Sequence, residues 1–282
     1  MTGGSPLPGA PLPADELAGD PLPAEAFDSH CHLDLLGASV PDAMAQARAV
    51  GITRVITVGV DLETSRWSAA CAAGRPDVYA AVAIHPNDTG AAAGSVAEKE
   101  AVLEEIAALA SQPRVRAVGE TGLDYYRDHA DPAGQRDWFR AHIAVAKQAG
   151  KALMIHDREA HEDVLRILEE EGPPERVVFH CFSGDADMAK RCAAAGYVLS
   201  FAGNLTFKNA QPLRDAAAAT PPDALLAETD APFLTPVPAR GQPNSPAMVA
   251  RTLRCLAGIK QLPVEDMCAL VTATGERLFG PW

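Results

Sequence analysis

The sequence predicts an α/β protein built as a single (β/α)8 barrel, a TIM-like barrel, preceded by a disordered N-terminal tail. From residue 27 onward, short β-branched runs that end in small or polar residues alternate with amphipathic helical stretches, and this unit occurs eight times. Such alternation is typical of parallel strands joined by right-handed crossover helices. The chain of 282 residues is also close in length to the roughly 250 residues of a single barrel domain.

The eight units follow one another in order along the chain. The strand-forming runs are AFDSHCH, ITRVITVGV, DVYAAVAIHP, VRAVGETGLD, KALMIHDRE, RVVFHCFSG, YVLSFAGNLTF and ALLAETDAP. Each run leads into a helical stretch, and the last helix is expected from Val264 to about Leu278. An open, doubly wound sheet is the alternative, but no glycine-rich phosphate-binding loop follows the first strand.

We expect two regions: residues 1–26 as the tail and residues 27–282 as the barrel. The tail contains six of the 23 prolines and has little apolar mass to bury. Because proline lacks a backbone donor, a disordered or polyproline-like segment is expected there. A partner-binding PxxP segment is the alternative for this tail.

Composition excludes several classes of protein. Hydrophobic residues make up 48% and charged residues 22% of the chain, which excludes a wholly disordered chain, a collagen and a coiled coil. The net charge of −13 argues against a broad basic face, although a local site made cationic by metal stays compatible with it. No long apolar run indicates a membrane span. Six cysteines without a CxxC pair, and no secretory signal, predict a reduced, cytoplasmic protein. We expect neither a membrane nor an obligate protein partner.

Chemistry-bearing side chains lie where the predicted strands end, which is where barrel enzymes carry their active sites. Five of the eight histidines fall at these positions. The residues at the strand ends are His30 and His32, His85, Glu120 and Asp124, His156 and Arg158, His180, and Glu228 and Asp230. This concentration predicts one site at the mouth of the barrel.

The spacing of His30 and His32 is informative because side chains of a strand alternate between its two faces. Both imidazoles therefore point the same way and can bind one divalent ion. Two polar surface histidines are the alternative, which the carboxylates and histidines at the other strand ends disfavour. Unpaired polar groups crowded into the mouth of the barrel would cost free energy. Two divalent cations would neutralise the carboxylates and leave the site positive enough to bind a phosphodiester.

The motifs FDSHCHLD, AIHP, VGETGLDYY, IHDREA, FHCFSG, FAGNLTFKNA and ETDAPFLTPVPARGQPNSP occur in this order along the chain. In these motifs the chain resembles the TatD family of metal-dependent deoxyribonucleases, which are amidohydrolase-like metal hydrolases. The resemblance covers about Phe27 to Phe279. The resemblance implies a TIM-like barrel, divalent metals and 3′-to-5′ exonuclease activity on DNA.

The resemblance also implies roles for individual residues. One metal would take His30, His32, Glu120 and Asp230, and the other would take Glu120, His156 and His180, so that Glu120 bridges the two ions. Glu228 would hold a further ion or support the ligands. His85 and Arg158 would face the substrate phosphate, and Lys208 and Arg240 are candidate phosphate contacts, with ordinary solvated cations as the alternative.

These roles lead to a predicted mechanism. Two divalent ions (Mg²⁺, Mn²⁺ or Zn²⁺) would activate a water to hydroxide for attack on phosphorus, with Asp230 able to take the proton. Glu120, Asp230, His85 and Arg158 are the predicted catalytic residues. The expected substrate is DNA with single-stranded or frayed 3′ ends, because a narrow mouth on an acidic protein offers no long groove.

Two other functions stay open at this point. The same site could hydrolyse another ester or an amide, for example in an aminoacyl-tRNA deacylase, or the protein could bind metal without catalysis. Assays with linear DNA, RNA, aminoacyl-tRNA and small amides in the presence of Mn²⁺ would separate the three.

Overall fold

Eight parallel strands form one sheet in the order in which they occur along the chain. The computed structural model describes residues 19–92, 94–127 and 129–281. The strands are β1 (Ala26–Cys31), β2 (Ile52–Val58), β3 (Val78–Val82), β4 (Val115–Asp124), β5 (Ala152–Arg158), β6 (Val177–Phe179), β7 (Val198–Phe201) and β8 (Leu225–Ala227). Every neighbouring pair is parallel. The predicted TIM-like barrel is confirmed.

Helices connect the strands and cover the outside of the barrel. They are α1 (Val40–Ala49), α2 (Leu62–Ala73), α3 (Thr89–Ala92), α4 (Val96–Ala110), α5 (Pro132–Ala149), α6 (His161–Glu171), α7 (Ala186–Ala194), α8 (Gln211–Ala219), α9 (Val249–Lys260) and α10 (Val264–Phe279). Side chains of Ser39, Asp61, Ser95, Asp131 and Asp185 cap the starts of α1, α2, α4, α5 and α7. Each such cap contributes about 1 kcal/mol by satisfying a free backbone N–H. Within the described residues, no helix combines the length and apolar character needed to cross a membrane.

The barrel closes between β1 and the segment that follows β8. Cys31 and Ala231 form a parallel bridge. The backbone N–H of Asp230 donates to the carbonyl of His30 (2.9 Å), and the N–H of His32 donates to that of Ala231 (2.8 Å). The first and last site segments of the sequence are therefore hydrogen-bonded neighbours in the fold.

The described end of the expected tail packs on the barrel through Leu22. Residues 1–18 lie outside the described residues. Leu22 is 8% exposed and belongs to the hydrophobic core, and its N–H donates to the carbonyl of Val50 (3.0 Å). The Arg254 side chain of α9 donates to the carbonyls of Asp20 (2.6 Å) and Pro21 (3.0 Å). Sequence composition missed this because a single leucine provides the anchor.

Two truncations are expected to differ in stability. Removing residues 1–18 should leave the free energy of unfolding nearly unchanged. Removing residues 1–25 also removes the buried Leu22 side chain, worth about 2 kcal/mol, and should lower the thermal midpoint by several degrees. Differential scanning calorimetry of both truncated proteins and of a Leu22→Ala full-length protein checks this. Equal midpoints for all of them would show that residues 19–25 contribute nothing to stability.

Candidate metal centre

The predicted site residues converge on the carboxylate of Glu120 in β4. Its side chain is buried, and its two oxygens face different histidines. From Oε2 the ring nitrogens of His30 and His32 lie at 3.4 and 3.9 Å, and from Oε1 those of His85, His156 and His180 lie at 3.4, 2.6 and 2.8 Å. Five imidazoles thus surround one buried carboxylate.

The two histidines at the end of β1, His30 and His32, face the site together. His30 and His32 are buried, and their Nε2 atoms lie 3.3 Å apart. His32 Nδ1 lies 3.0 Å from the carbonyl oxygen of Val58 in β2 and donates its proton there, because a carbonyl only accepts. In the neutral ring, Nε2 of His32 then carries a free lone pair that points into the site.

Carboxylates orient two further histidines in the same way. His180 Nδ1 donates to Glu228 Oε1 (3.2 Å), and His156 Nε2 donates to Asp124 Oδ2 (3.2 Å). The remaining nitrogen of each neutral ring then presents its lone pair to Glu120 Oε1. A lone pair this close to a carboxylate oxygen is repelled unless a proton or another cation lies between them. Outer carboxylates that orient imidazoles in this manner are common around protein-bound metals.

Asp230 is held beside the first-strand histidines by its backbone. It adopts the left-handed conformation (φ 53°), which aspartate tolerates better than most residues. Its Oδ1 lies 3.6 Å from His30 Nε2 and 3.5 Å from His32 Nε2. The side chain of Asp230 is 16% exposed, so it borders the open space of the site.

Two glycines allow β4 to approach β5 closely at the site. A Cβ at Gly119 would lie 2.4 Å from Cβ of Met154, and one at Gly122, whose φ is +142°, would lie 2.0 Å from the carbonyl oxygen of His156. Only glycine fits at such an approach. The two glycines therefore permit the contact between Glu120 and His156.

The electrostatic environment favours ionised carboxylates. Burial alone would raise the pKa of Glu120, but the nearby imidazoles, foremost those of His180 and His85, hold the pKa well below its usual range. Conversely, burial would lower the pKa of His180, but Glu120 and Glu228 raise it well above its usual range. Burial also opposes ionisation of Asp230, but the neighbouring imidazoles, foremost that of His32, together outweigh it and lower the pKa of Asp230. The ionised carboxylates thus attract positive charge to this site, either a proton on an imidazole or a metal ion.

The donor set fits divalent cations. Three overlapping groups each place their ligand atoms within 4.8 Å of one another: His30, His180 and Asp230; His30, His32 and Glu120; and His85, Glu120 and His156. Ligand atoms lie about 2.0–2.2 Å from a zinc ion, so atoms sharing one ion lie about 3–4 Å apart. Imidazole suits zinc, and carboxylate suits magnesium and manganese.

All of these residues except the fully buried His30 line a cavity of about 730 Å³ at the carboxyl ends of the strands. His85 and Arg158, predicted to face a phosphate, both line it. His85 also lies 3.3 Å from His156 and belongs to one of the candidate ligand groups, which its predicted role did not include. The Arg158 guanidinium lies over the ring of Tyr126 at 3.9 Å.

The remaining predicted residues lie outside the walls of this cavity. Glu228 is fully buried behind His180 and accepts from the N–H of Cys181 (2.8 Å), which places it as a support for His180. Lys208 and Arg240 lie on the loops after β7 and β8, with the Arg240 guanidinium over the ring of Phe207 at 4.1 Å.

Sequence reasoning left three contributors to the site without a role. Asp124 was noted at a strand end, but its contact with His156 depends on how β4 and β5 pair. Asn87 donates from Nδ2 to Asp124 Oδ2 (2.9 Å), and Arg127 lines the cavity. The segment LDYYRD indicates a strand end followed by a loop, and it carries no signal that separates Arg127 from a surface arginine.

The fold and the site together define a metal-dependent hydrolase of the barrel type, with its ligands at the carboxyl ends of the strands. The family model described as TatD related DNase matches residues 27–280. The chain belongs to this TatD-related DNase family.

Individual relatives agree with this assignment. The chain is 43% identical over 262 residues to a Mycobacterium tuberculosis protein described as the uncharacterized metal-dependent hydrolase TatD, covering 90% of this chain and 97% of that protein. It is 36% identical over 257 residues to the Bacillus subtilis metal-dependent hydrolase YabD, covering 90% and 98%. The crystal structure of YJJV, a TatD homolog from Escherichia coli, superimposes with a TM-score of 0.83 at 27% identity, covering 91% and 98%.

Proposed function

We propose that this protein is a divalent-metal-dependent deoxyribonuclease that hydrolyses phosphodiester bonds of DNA from a free 3′ end. The observation that carries the proposal is the division of the Glu120 carboxylate: Oε2 faces His30 and His32, whereas Oε1 faces His156 and His180. A carboxylate that bridges two ions needs this arrangement. The family description as a DNase supports the choice of DNA as substrate.

Two groups of side chains would hold the ions. One comprises His30, His32, Asp230 and Glu120 Oε2, and the other comprises His156, His180 and Glu120 Oε1. When bound, divalent ions lower the pKa of a water molecule and neutralise charge that develops on a phosphate.

The protein's own side chains supply the remaining functions. Asp230 borders the open cavity and, ionised by its histidine neighbours, is the base that accepts a proton from the attacking water. The Arg158 guanidinium lies over the ring of Tyr126, which positions it while its N–H groups stay available to a phosphate oxygen. Arg127 offers a second cation in the same cavity, and His85 reaches the cavity beside Glu120.

The rim of the cavity favours a single strand with a free end. Tyr126 and Phe233 are exposed aromatic residues at this rim, 65% and 51% exposed, and can stack on unpaired bases. The protein carries 37 acidic and 24 basic residues, which disfavours a long duplex lying across its surface. The 3′ polarity comes from the family resemblance, and the cytoplasmic location stays a prediction.

The proposed end preference predicts a difference between linear and circular DNA. Covalently closed single-stranded circles should resist hydrolysis, because a strand without an end cannot enter a compact cavity without sharp bending. Linear DNA of the same sequence should be degraded to mononucleotides in the presence of Mn²⁺ or Mg²⁺. The measurement is release of acid-soluble nucleotide, with the circle linearised at one site as the matched control.

Equal rates on the two substrates would contradict entry from an end while leaving metal-dependent hydrolysis intact. RNA, aminoacyl-tRNA and small amides, assayed in parallel, test the substrate class. Faster hydrolysis of any of these than of linear DNA would overturn the proposed deoxyribonuclease.

A further inference from the structure

Most basic side chains of this protein are already engaged by protein acceptors. Arg66 and Arg191, for example, pair with Glu105 and Glu162, and Lys151 donates to backbone carbonyls. Within the described residues, four lysine and arginine side chains form no hydrogen bond or ion pair: Arg127, Arg158, Lys208 and Arg240. All four lie at the carboxyl end of the barrel: Arg158 is the last residue of β5, and the other three lie in the loops after β4, β7 and β8. In a protein of net charge −13, this grouping leaves unpaired positive charge at the carboxyl end of the barrel.

The four cations fall into two pairs. Arg127 and Arg158 line the cavity of the metal centre and so lie near the phosphate that is attacked. Lys208 and Arg240 do not line this cavity. An anionic group that they bind would therefore lie outside the metal centre.

A groove of about 640 Å³ adjoins the cavity and is lined in part by the loop after β7 that carries Lys208. Ser183 and Asn204 line both spaces, so the groove continues from the metal centre. One wall is apolar, formed by Phe207, Met188 and Leu213. Lys208 lies in the sequence between two residues that line the groove, Phe207 and Asn209, and the Arg240 guanidinium lies over the Phe207 ring.

The acidic residues of the groove are already neutralised or engaged. Asp187 pairs with Lys190 (2.8 Å), and Glu162 pairs with Arg191 (2.6 Å). Asp185 caps α7 by accepting from the N–H groups of Asp187 and Met188. The unpaired charges next to the groove are therefore positive.

One polar atom points to a ligand that is not protein. Asn204 Oδ1 is buried and has no hydrogen-bond partner within the described residues. An unsatisfied buried acceptor of this kind destabilises the folded protein unless a ligand or water donates to it. Because Asn204 borders both the cavity and the groove, a ligand that passes from one to the other can supply the missing donor.

We infer that this groove binds the nucleotide adjoining the scissile phosphate of a single-stranded DNA. Its base packs against the apolar wall at Phe207, and its phosphate lies between Lys208 and Arg240. The ring of Phe207 positions the Arg240 guanidinium, whose N–H groups stay available to phosphate oxygens. The inference rests on the proposed nuclease function and adds a second nucleotide site to it.

The test measures how binding depends on salt. A fluorescent oligothymidylate of eight nucleotides with phosphorothioate linkages, which slow hydrolysis, is titrated with the metal-loaded protein at several salt concentrations. For a Lys208→Gln/Arg240→Gln double variant, the slope of log affinity against log salt should fall by about 1.4, because each phosphate contact to a single strand contributes about 0.7. The affinity at low salt should fall about ten-fold or more. The matched control, Arg66→Gln/Arg166→Gln, removes two exposed charges from the outer helices and should retain the wild-type slope.

The outcomes separate this inference from the proposed function. If the wild-type protein degrades DNA and the Lys208/Arg240 variant retains its salt slope, the groove is not a nucleotide site and the nuclease proposal stands. If the wild-type protein binds the oligomer with a slope that the variant loses, but degrades no DNA, the groove is supported and the nuclease proposal fails. Absence of any oligomer binding by the wild-type protein overturns both.

Discussion

A Glu120→Gln protein is expected to lose at least ~10³ in kcat on linear DNA, the scale of removing a major electrostatic stabiliser. Glutamine preserves the shape of the side chain but removes the negative charge that five imidazoles surround. If Glu120 bridges two ions, this one change weakens both. The loss should therefore exceed that of a His32→Gln protein, because His32 belongs to only one of the two proposed groups.

The fold should survive the substitution of Glu120, since the residue lies at the mouth of the barrel rather than in its packed layers. Circular dichroism and the thermal midpoint verify this for the purified protein. Glu105→Gln is the matched control: it makes the same chemical change at a residue that pairs with Arg66 on the outer helices, and it should leave kcat unchanged. A Glu120→Gln protein with a near-normal rate would defeat the bridging role.

Removal of metal should abolish hydrolysis, and added Mn²⁺, Mg²⁺ or Zn²⁺ should restore it. The same addition should raise the thermal midpoint, because an ion that binds only the folded state stabilises it by about 2.7 kcal/mol at 100 times its dissociation constant. This second measurement is independent of activity and reports whether the cluster of histidines and carboxylates binds the ion. Activity assays and calorimetry on chelated and reloaded protein provide both results.

The Glu120→Gln protein is the control for the metal experiment. Its midpoint should rise less on addition of the same ion, since it lacks the carboxylate common to both proposed groups. Elemental analysis of the chelated wild-type protein establishes that the metal is gone. Full activity of a protein without detectable metal would refute the assignment of the site.

The sequence by itself determined the barrel and the identity of its site-bearing strand ends. Eight alternating strand and helix patterns predicted the fold because each β-branched run and each amphipathic stretch carries its own periodicity. The spacing of His30 and His32 predicted a shared face, since the period of a strand is a local property. In the structure, both rings reach the site, with their Nε2 atoms 3.3 Å apart.

Only the tertiary structure decided what each side chain contacts. The contact of the Asp124 side chain with His156 depends on strand pairing, and the contact of His85 with Glu120 depends on barrel curvature. No local sequence pattern contains either. The packing of Leu22 under the barrel depends on a surface formed by residues far along the chain. The groove beside Phe207 likewise exists only because the loops after β6 and β7 meet in space. Local periodicity determines which side chains share a face, whereas closure of the barrel determines which faces meet.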